Sequence, residues 1–287
     1  MWRLHRNKAL ARTLLIIYMT ISLILGILVG AVLGLTGAGG GILAVPALAA
    51  GMGWSMQQAA PVALIAVAGS AAIGALEGFR HNLVRYRAAI WMALVGIPFT
   101  MLGGEIAHVL SQRVLTIMFS LVMLFVAYRF IRNRHHGATH ENAIRTSKVG
   151  RLNPETGRFD WTVATALLVG AIGAITGFMT GLLGVGGGFV LVPMLRRFTN
   201  VSMHGIVATS LFVIALVGSG GVATAVLRGV VLPLQICLFF SIATAVGMIA
   251  GRYLSGLLPP HRIQQGFATV LLVVAVMLLA KATMGTV

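Results

Sequence analysis

The feature that most limits this chain is a series of eight apolar runs, each long enough to cross a bilayer as a helix, which takes about 20 mostly apolar residues within a range of roughly 17–25. They cover residues 14–36, 57–79, 88–110, 114–131, 162–183, 205–227, 229–258 and 263–280. Shorter apolar stretches, 42–50 and 189–195, each follow a cluster of glycines. With 58% hydrophobic and 9% charged residues, against about 25% charged in ordinary soluble domains, a chain of this size lacks the polar surface to cover itself in water. The expectation is an all-α integral membrane protein with about eight transmembrane helices, arranged as two homologous four-helix repeats with Gly-rich helix breaks. The first run is too long for a cleaved signal peptide and leads into glycines without an A-x-A-like site.

Charge is lopsided, with 21 Lys and Arg against 5 Asp and Glu. In a soluble protein that excess points to nucleic acid. Here the basic residues sit between apolar runs, so they read as an orientation signal and no nucleic-acid partner is expected. If each run crosses once, sixteen basic residues fall on one side: Arg3, Arg6, Lys8 and Arg12, then Arg80, Arg85 and Arg87, the 129–158 stretch, Arg228 and Lys281. Four fall on the other: Arg113, Arg196, Arg197 and Arg262. The count predicts a multi-pass protein of the plasma (inner) membrane with both termini cytoplasmic. The chain then divides into a basic cytoplasmic tail (1–13), a first transmembrane repeat (14–131), a cytoplasmic polar loop (132–161) and a second transmembrane repeat (162–287). The loop holds His135, His136, His140 and Glu141, read as solvated residues without the partner cluster that a metal needs. Cys237 stands alone, which excludes an internal disulfide framework or a cysteine-based zinc site. No cofactor and no metal are expected.

The chain repeats itself. Residues 34–48 read GLTGAGGGILAVPAL and residues 181–195 read GLLGVGGGFVLVPML, with nine of fifteen positions identical at an offset of 147. The same offset matches Ser55-Met56 with Ser202-Met203 and Gly104 with Gly251. Internal duplication is a mark of transporters, which work around a site between their repeats. Four crossings per unit orient both copies alike, whereas an additional re-entrant crossing at the glycines inverts one copy, and the sequence leaves both open.

Three consecutive glycines are expensive as helix, each costing roughly 1 kcal/mol against alanine. Pro46 lacks an N–H and its ring clashes with the carbonyl one turn back in a continuous helix, but it is comfortable at the first helical position. The expected shape is a helix, an unwound stretch around 39–45, and a short helix from Pro46, with 186–192 and Pro193 repeating it. Unwound backbone at membrane depth must be buried in protein or line a wet cavity. Its free N–H groups, with the positive end of the next helix, form an anion site. The bland alternative is close helix packing through small residues.

The paired G-x-G-G-G-x-x-x-V-P-x-L motifs resemble those of the TauE/SafE sulfite-exporter family of membrane permeases, and the resemblance covers nearly the whole hydrophobic chain from about Leu14. It implies seven or eight helices and the movement, mostly outward, of sulfite, sulfonates and related organosulfur anions. Carried onto this chain, the motif positions are Gly37, Gly39, Gly40, Gly41 and Pro46, and Gly184, Gly186, Gly187, Gly188 and Pro193. The basic tail and the loop 132–161 depart from a generic member.

Ionisable residues within the runs are functional candidates, because a charge at the bilayer centre costs about 2.5–3.5 kcal/mol on insertion scales. Arg252, flanked by Ser241, Thr244, Met248 and Ser255 at helical spacing, either binds an anion or snorkels to the interface. Glu105, with His108 one turn on, aligns with Arg252 across the repeat and is a candidate to pair with it or to carry a proton. Glu77 is a second proton-coupling candidate, although pairing with Arg80 or His81 is the simpler reading. Thr209 and Ser210 are candidate oxyanion ligands, while Ser70 and Ser219 beside glycines are as well explained by bonds to a carbonyl one turn back. Three functions compete. The first is a secondary transporter, an exporter by the resemblance, of small oxyanions such as sulfite or organosulfonates by alternating access between the repeats. The second is an intramembrane enzyme acting on a lipid or small molecule, and the third a structural or sensory membrane protein. Scarce intramembrane acids and two anion-friendly breaks favour the first. No H-E-x-x-H and no ATP-binding G-x-x-x-x-G-K-[ST] motif is present, so the driving force is a gradient or a partner chain.

Overall fold

In the computed structural model, residues 2–132, 161–230 and 232–284 are described. They form α1 (Trp2–Thr36), a 3-10 segment (Gly37–Leu43), α2 (Ala44–Met52), α3 (Met56–Arg80), α4 (Tyr86–Val109), α5 (Gln112–Arg132), α6 (Val163–Leu183), α7 (Gly188–Phe198), α8 (Met203–Leu227), α9 (Leu234–Ser255) and α10 (Pro260–Thr283). Eight of these are long and apolar enough to cross a membrane, at the places the apolar runs predict. The α3 and α8 starts show why the boundaries fall where they do. Ser55 accepts from Gln58 N in a capping box, and Ser202, 147 residues later, accepts from Gly205 N, so each helix has one of its orphan N–H groups satisfied.

Close approach through small residues holds the long helices together, as expected where lipid offers no hydrophobic driving force between them. A Cβ on Gly30 would lie 2.0 Å from Thr244 O, and one on Gly34 2.1 Å from Met248 O, so α1 packs on α9 backbone to backbone. Gly177 and Gly181 do the same for α6 on α4, at 2.1 Å from Gly96 O and 2.0 Å from Thr100 O. The two sequence halves therefore interlock, each lending its first helix to the other.

Those contacts also fix direction. Along α1 the positions 26, 30 and 34 meet residues 243, 244 and 248 of α9 in ascending order, so α1 and α9 are parallel, as are α4 and α6. In contrast, Gly78 abuts Ala208 while Gly218 abuts Ala68, so α3 and α8 are antiparallel. The short helices make this possible. Thr36 ends α1 near Arg252, yet Gly51 at the far end of α2 lies against Leu25 and Ile21, so the 3-10 segment and α2 fold back along α1. In the same way α7 returns the chain from the end of α6, beside Gly104, to the start of α8, where Thr209 meets Arg85. With one return in each half, corresponding helices of the two halves run in opposite directions, as the re-entrant alternative of the sequence reading requires of an inverted repeat.

The returns change the charge count, because spans flanking a return do not alternate as the simple count assumed. One face, the termini face, carries α1's start, α10's end, Arg113, Arg228 and Lys281. The other, the loop face, carries Arg80, Arg85, Arg87, Arg129, Arg132, Arg196, Arg197, Arg252 and Arg262. Among described residues that is nine basic residues on the loop face and seven on the termini face, and five more lie in 133–160, both ends of which leave from the loop face. Among the described residues the basic side chains are therefore split nearly evenly between the faces instead of sixteen to four. The histidine-bearing stretch His135–Glu141 lies outside the described residues.

The repeat also slips by one residue. Element starts in α3 and α8 differ by 147, but Tyr86 of α4 corresponds to Leu234 of α9, a difference of 148. The connection 81–85 has five residues and its counterpart 228–233 six. Gly103 meets Phe178 O as Gly251 meets Ala31 O. Gly251 therefore matches Gly103 rather than Gly104, Arg252 matches Gly104, and Glu105 has Tyr253 as its counterpart.

Candidate functional site

The two glycine clusters meet at the centre of the fold. A Cβ on Gly41 would stand 3.0 Å from Val185 O and 3.0 Å from Val67 Cγ1, and one on Gly186 would meet Val67 and Ile214. Val67 and Ile214 sit near the midpoints of α3 and α8 and are 147 residues apart. Both clusters break their helices, at nearly the predicted places but in two different ways. Gly37 (φ +77°) and Gly184 (φ +70°) turn the chain in the left-handed region at equivalent positions. After Gly37 the chain winds as a 3-10 helix, and Ala44 N donates to Gly41 O. The stretch expected to be unwound from 39 to 45 is therefore internally bonded, and α2 begins at Ala44, with Pro46 buried at its third residue. Proline is tolerated there because its missing N–H would be an orphan in any case.

After Gly184 the chain stays open. Gly186 (φ +78°) and Gly187 (φ +62°) are also left-handed. Gly184 N donates to Thr180 O, and Val190 N and Leu191 N return to Gly187 O. Between them the amides of Val185, Gly186 and Gly187 make no backbone hydrogen bond among the described residues. Helix α7 starts at Gly188, five residues before Pro193, which is half-buried inside the helix rather than at its head. Thr176 Oγ1, fully buried with no partner, and Thr180 Oγ1 both belong to the α6 turn that Gly187 abuts. Unsatisfied amides and an unpartnered hydroxyl at one place supply the donors an anion requires.

A cavity of about 80 Å³ reaches the second break from the termini face, lined by Gln57, Ala60, Thr100, Gly104, His108, Thr180, Gly184, Thr224 and Arg228, with an apolar wall that includes Leu64, Leu115 and Phe119. That space holds several waters at ~10–15 Å³ each. The equivalent positions on the loop face carry larger side chains: Val207 for Ala60, Met248 for Thr100 and Arg252 for Gly104. Val207 presses on Gly37, and the Arg252 and Met248 side chains close over Gly74. The cavity thus opens at the termini face, while larger side chains fill the equivalent positions at the loop face.

Arg252 binds neither a free space nor Glu105. Its Nη1 lies 3.0 Å from Glu77 Oε2 and donates to Gly74 O at 3.3 Å. Glu77 pairs with Arg252 rather than with Arg80 or His81, since α9 crosses α3 one turn above those residues. Glu105 pairs with Arg228, because the inverted arrangement puts Glu105 and Arg252 on opposite faces. Thr209 Oγ1 accepts from Arg85 N at 3.0 Å and so secures the α3–α4 connection. Ser210 Oγ and Ser70 Oγ are buried without a partner. In the stripe beside Arg252, the Thr244 and Ser255 hydroxyls donate to carbonyls in their own helix, whereas Ser241 Oγ is buried without a partner. Ser219 also bonds one turn back, to Ala215 O. Sequence reading missed Arg228, Thr100, Thr176, Thr180 and Gln57. Arg228 looked like an ordinary loop base, and the signal that would have found it is its position after α8 in an inverted, rather than alternating, topology. No group of three or more His, Cys, Asp or Glu able to hold a metal occurs among the described residues.

The family model described as Sulfite exporter TauE/SafE matches residues 22–278. The chain belongs to the TauE/SafE family. TauE/SafE relatives include a probable membrane transporter protein of Xylella fastidiosa (strain 9a5c), 30% identical over 67% of this chain and 68% of its own length. The probable membrane transporter protein YunE of Bacillus subtilis (strain 168) is 25% identical over 73% of this chain and 78% of its own length. One of Methanocaldococcus jannaschii, MJ0441, is 25% identical over 69% of each. No solved structure matches the chain significantly. As a TauE/SafE membrane transporter with eight helices among the described residues long and apolar enough to span, the chain is a multi-pass membrane protein whose surroundings are the lipid bilayer.

Proposed function

We propose that this TauE/SafE protein is a secondary transporter, an exporter, of small oxyanions such as sulfite or an organosulfonate, held where the two glycine breaks meet. The observation that carries the reading is the second break: three amides outside any backbone hydrogen bond, beside a buried unpartnered threonine and a cavity edged by an arginine. Such a site binds negative charge without a buried cation, so release does not require breaking a desolvated ion pair. The described name of the family is in keeping with a sulfur oxyanion. The two repeat units, 14–131 and 162–287, supply one break each, and exchange of the open and packed faces carries the anion across. By the revised charge count the loop face is cytoplasmic in the plasma membrane, which turns the cavity outward in this conformation.

The test is flux. Purified protein in liposomes, given sulfite and a panel of organosulfonates, sulfate and chloride, should show saturable movement of a sulfur oxyanion that the others compete for weakly. Absence of flux for every anion of the panel, from protein that is folded and inserted, would end the reading.

A further inference from the structure

Each face carries one ion pair between the same two kinds of helix, α3 with α9 and their counterparts α8 with α4, but with acid and base exchanged and at non-equivalent positions. On the loop face the acid belongs to α3 and the base to α9, as Glu77 and Arg252. On the termini face the acid belongs to α4 and the base stands at the end of α8, as Glu105 and Arg228. Arg252 fills the position where its half would otherwise be hollow. At the equivalent position the other half has Gly104, and the absent side chain lets the Arg228 guanidinium border the cavity: a Cβ on Gly104 would lie 3.5 Å from Arg228 Nη1.

We propose that Arg228 is the anion-receiving residue of the cavity and that Glu105 is its built-in counter-ion, displaced when an anion arrives; this rests on the reading that the cargo is negative. Arg228 lines the cavity and also a more open outer groove, where it meets Glu105, Met101, Leu102 and Leu227; Glu105 lines the outer groove but not the cavity. The acid is the more solvated partner, its side chain 65% exposed against 26% for the base, so water takes over its solvation when it leaves. A guanidinium is permanently charged and presents a planar fork that fits two oxygens of a carboxylate, a sulfonate or sulfite alike. It sits at the C-cap of α8, where the helix dipole favours a cation. His108 is the other ionisable side chain lining the cavity. Glu105 thus occupies Arg228 as a tethered substitute for the cargo and keeps weakly bound anions out.

The test is independent of cargo identity. Cys237, the one native cysteine and buried, is replaced by serine, and a thiol is placed on the cavity wall by Gly104→Cys or, as a nearly isosteric second variant, Thr224→Cys. Alkylation is timed with a methanethiosulfonate bearing a sulfonate and with one bearing a quaternary ammonium, and the ratio of rates is the readout. Arg228→Gln should lower the anion-to-cation ratio about tenfold, a focusing effect typical of one charge in a cleft. Glu105→Gln should raise it several-fold, Arg228→Lys should fall between, and exposed Arg113→Gln on the same face should change it by less than about twofold because solvent screens it. A ratio that Arg228→Gln moves no more than Arg113→Gln overturns the proposal, as does a shift in the same direction from Arg228→Gln and Glu105→Gln. A shift as predicted in protein that carries no sulfur oxyanion into liposomes leaves Arg228 as the anion residue and removes sulfite and sulfonates as the cargo.

Discussion

At Gly37 and Gly184 two nearly identical segments leave their helices through the same left-handed turn, and then they part. The first closes on itself as a 3-10 helix pressed against α1, where a Cβ on Gly40 would lie 2.5 Å from the Leu33 backbone. The second stays open through the left-handed Gly186 and Gly187 and keeps three amides outside the backbone ladder. The glycines permit both outcomes, so the difference comes from what surrounds them. Gly37 meets the branched side chain of Val207, whereas Gly184 meets Ala60, its smaller counterpart. The lesson is that one motif settles into two conformations, and the side chains packed around it decide which stays open.

Variants at equivalent positions separate what the halves share from what they do not. The largest effects should be equal. Gly34→Ala and Gly181→Ala each put a methyl about 2 Å from a facing carbonyl, so both should lose at least ~1–3 kcal/mol of stability through overpacking, read as matched falls in melting temperature in detergent. Unequal falls would break the pseudo-symmetry. The next pair should differ. Gly186→Ala combines φ +78° with a Cβ 2.9 Å from Ile214 and should cost about 1–2 kcal/mol, whereas Gly39→Ala, whose nearest neighbours stand 3.9 Å away, should be neutral in the same melts. Ala60→Cys should react with a small anionic thiol reagent several-fold faster than Val207→Cys, since only the former lines the cavity. Equal rates would mean the two faces are equally open. The smallest effect is expected from Thr176→Val, which removes an unpartnered hydroxyl without changing shape; melting should hold while the apparent affinity for sulfite falls about threefold to tenfold, the worth of one hydrogen bond.

Much of the fold was legible because periodicity and length suffice for membrane helices. Eight runs, the short helices after each glycine cluster, and the repeat with Gly37 opposite Gly184 all follow from pattern. Sidedness was not legible. A nine-residue helix such as α2 is too short to register as a crossing, yet it reverses the direction of everything after it. That single omission misplaced Arg80, Arg85, Arg87, Arg113, Arg129 and Arg132, joined Glu105 to the wrong partner and inverted the charge count. The one-residue slip after α8 lies in a connection where sequence identity has already faded, so helix contacts rather than alignment reveal it. Of the site, the glycines could be named but not their conformations, because those depend on Ala60 and Val207 from a different helix pair. Thr176 and Thr180 carried no motif at all; they matter only because the chain folds back onto α6.

The most direct measurement compares sulfite flux into liposomes for the wild-type protein and for Gly41→Val, which sets a branched side chain against Val185 O where the two breaks meet. The account predicts saturable flux from the wild type and a loss of at least about tenfold in the variant, the scale of one misplaced group at a preorganised site, with membrane insertion retained and the fall in melting temperature that overpacking brings leaving the protein folded at the assay temperature. Wild-type flux through Gly41→Val would place the anion's path elsewhere and contradict the account.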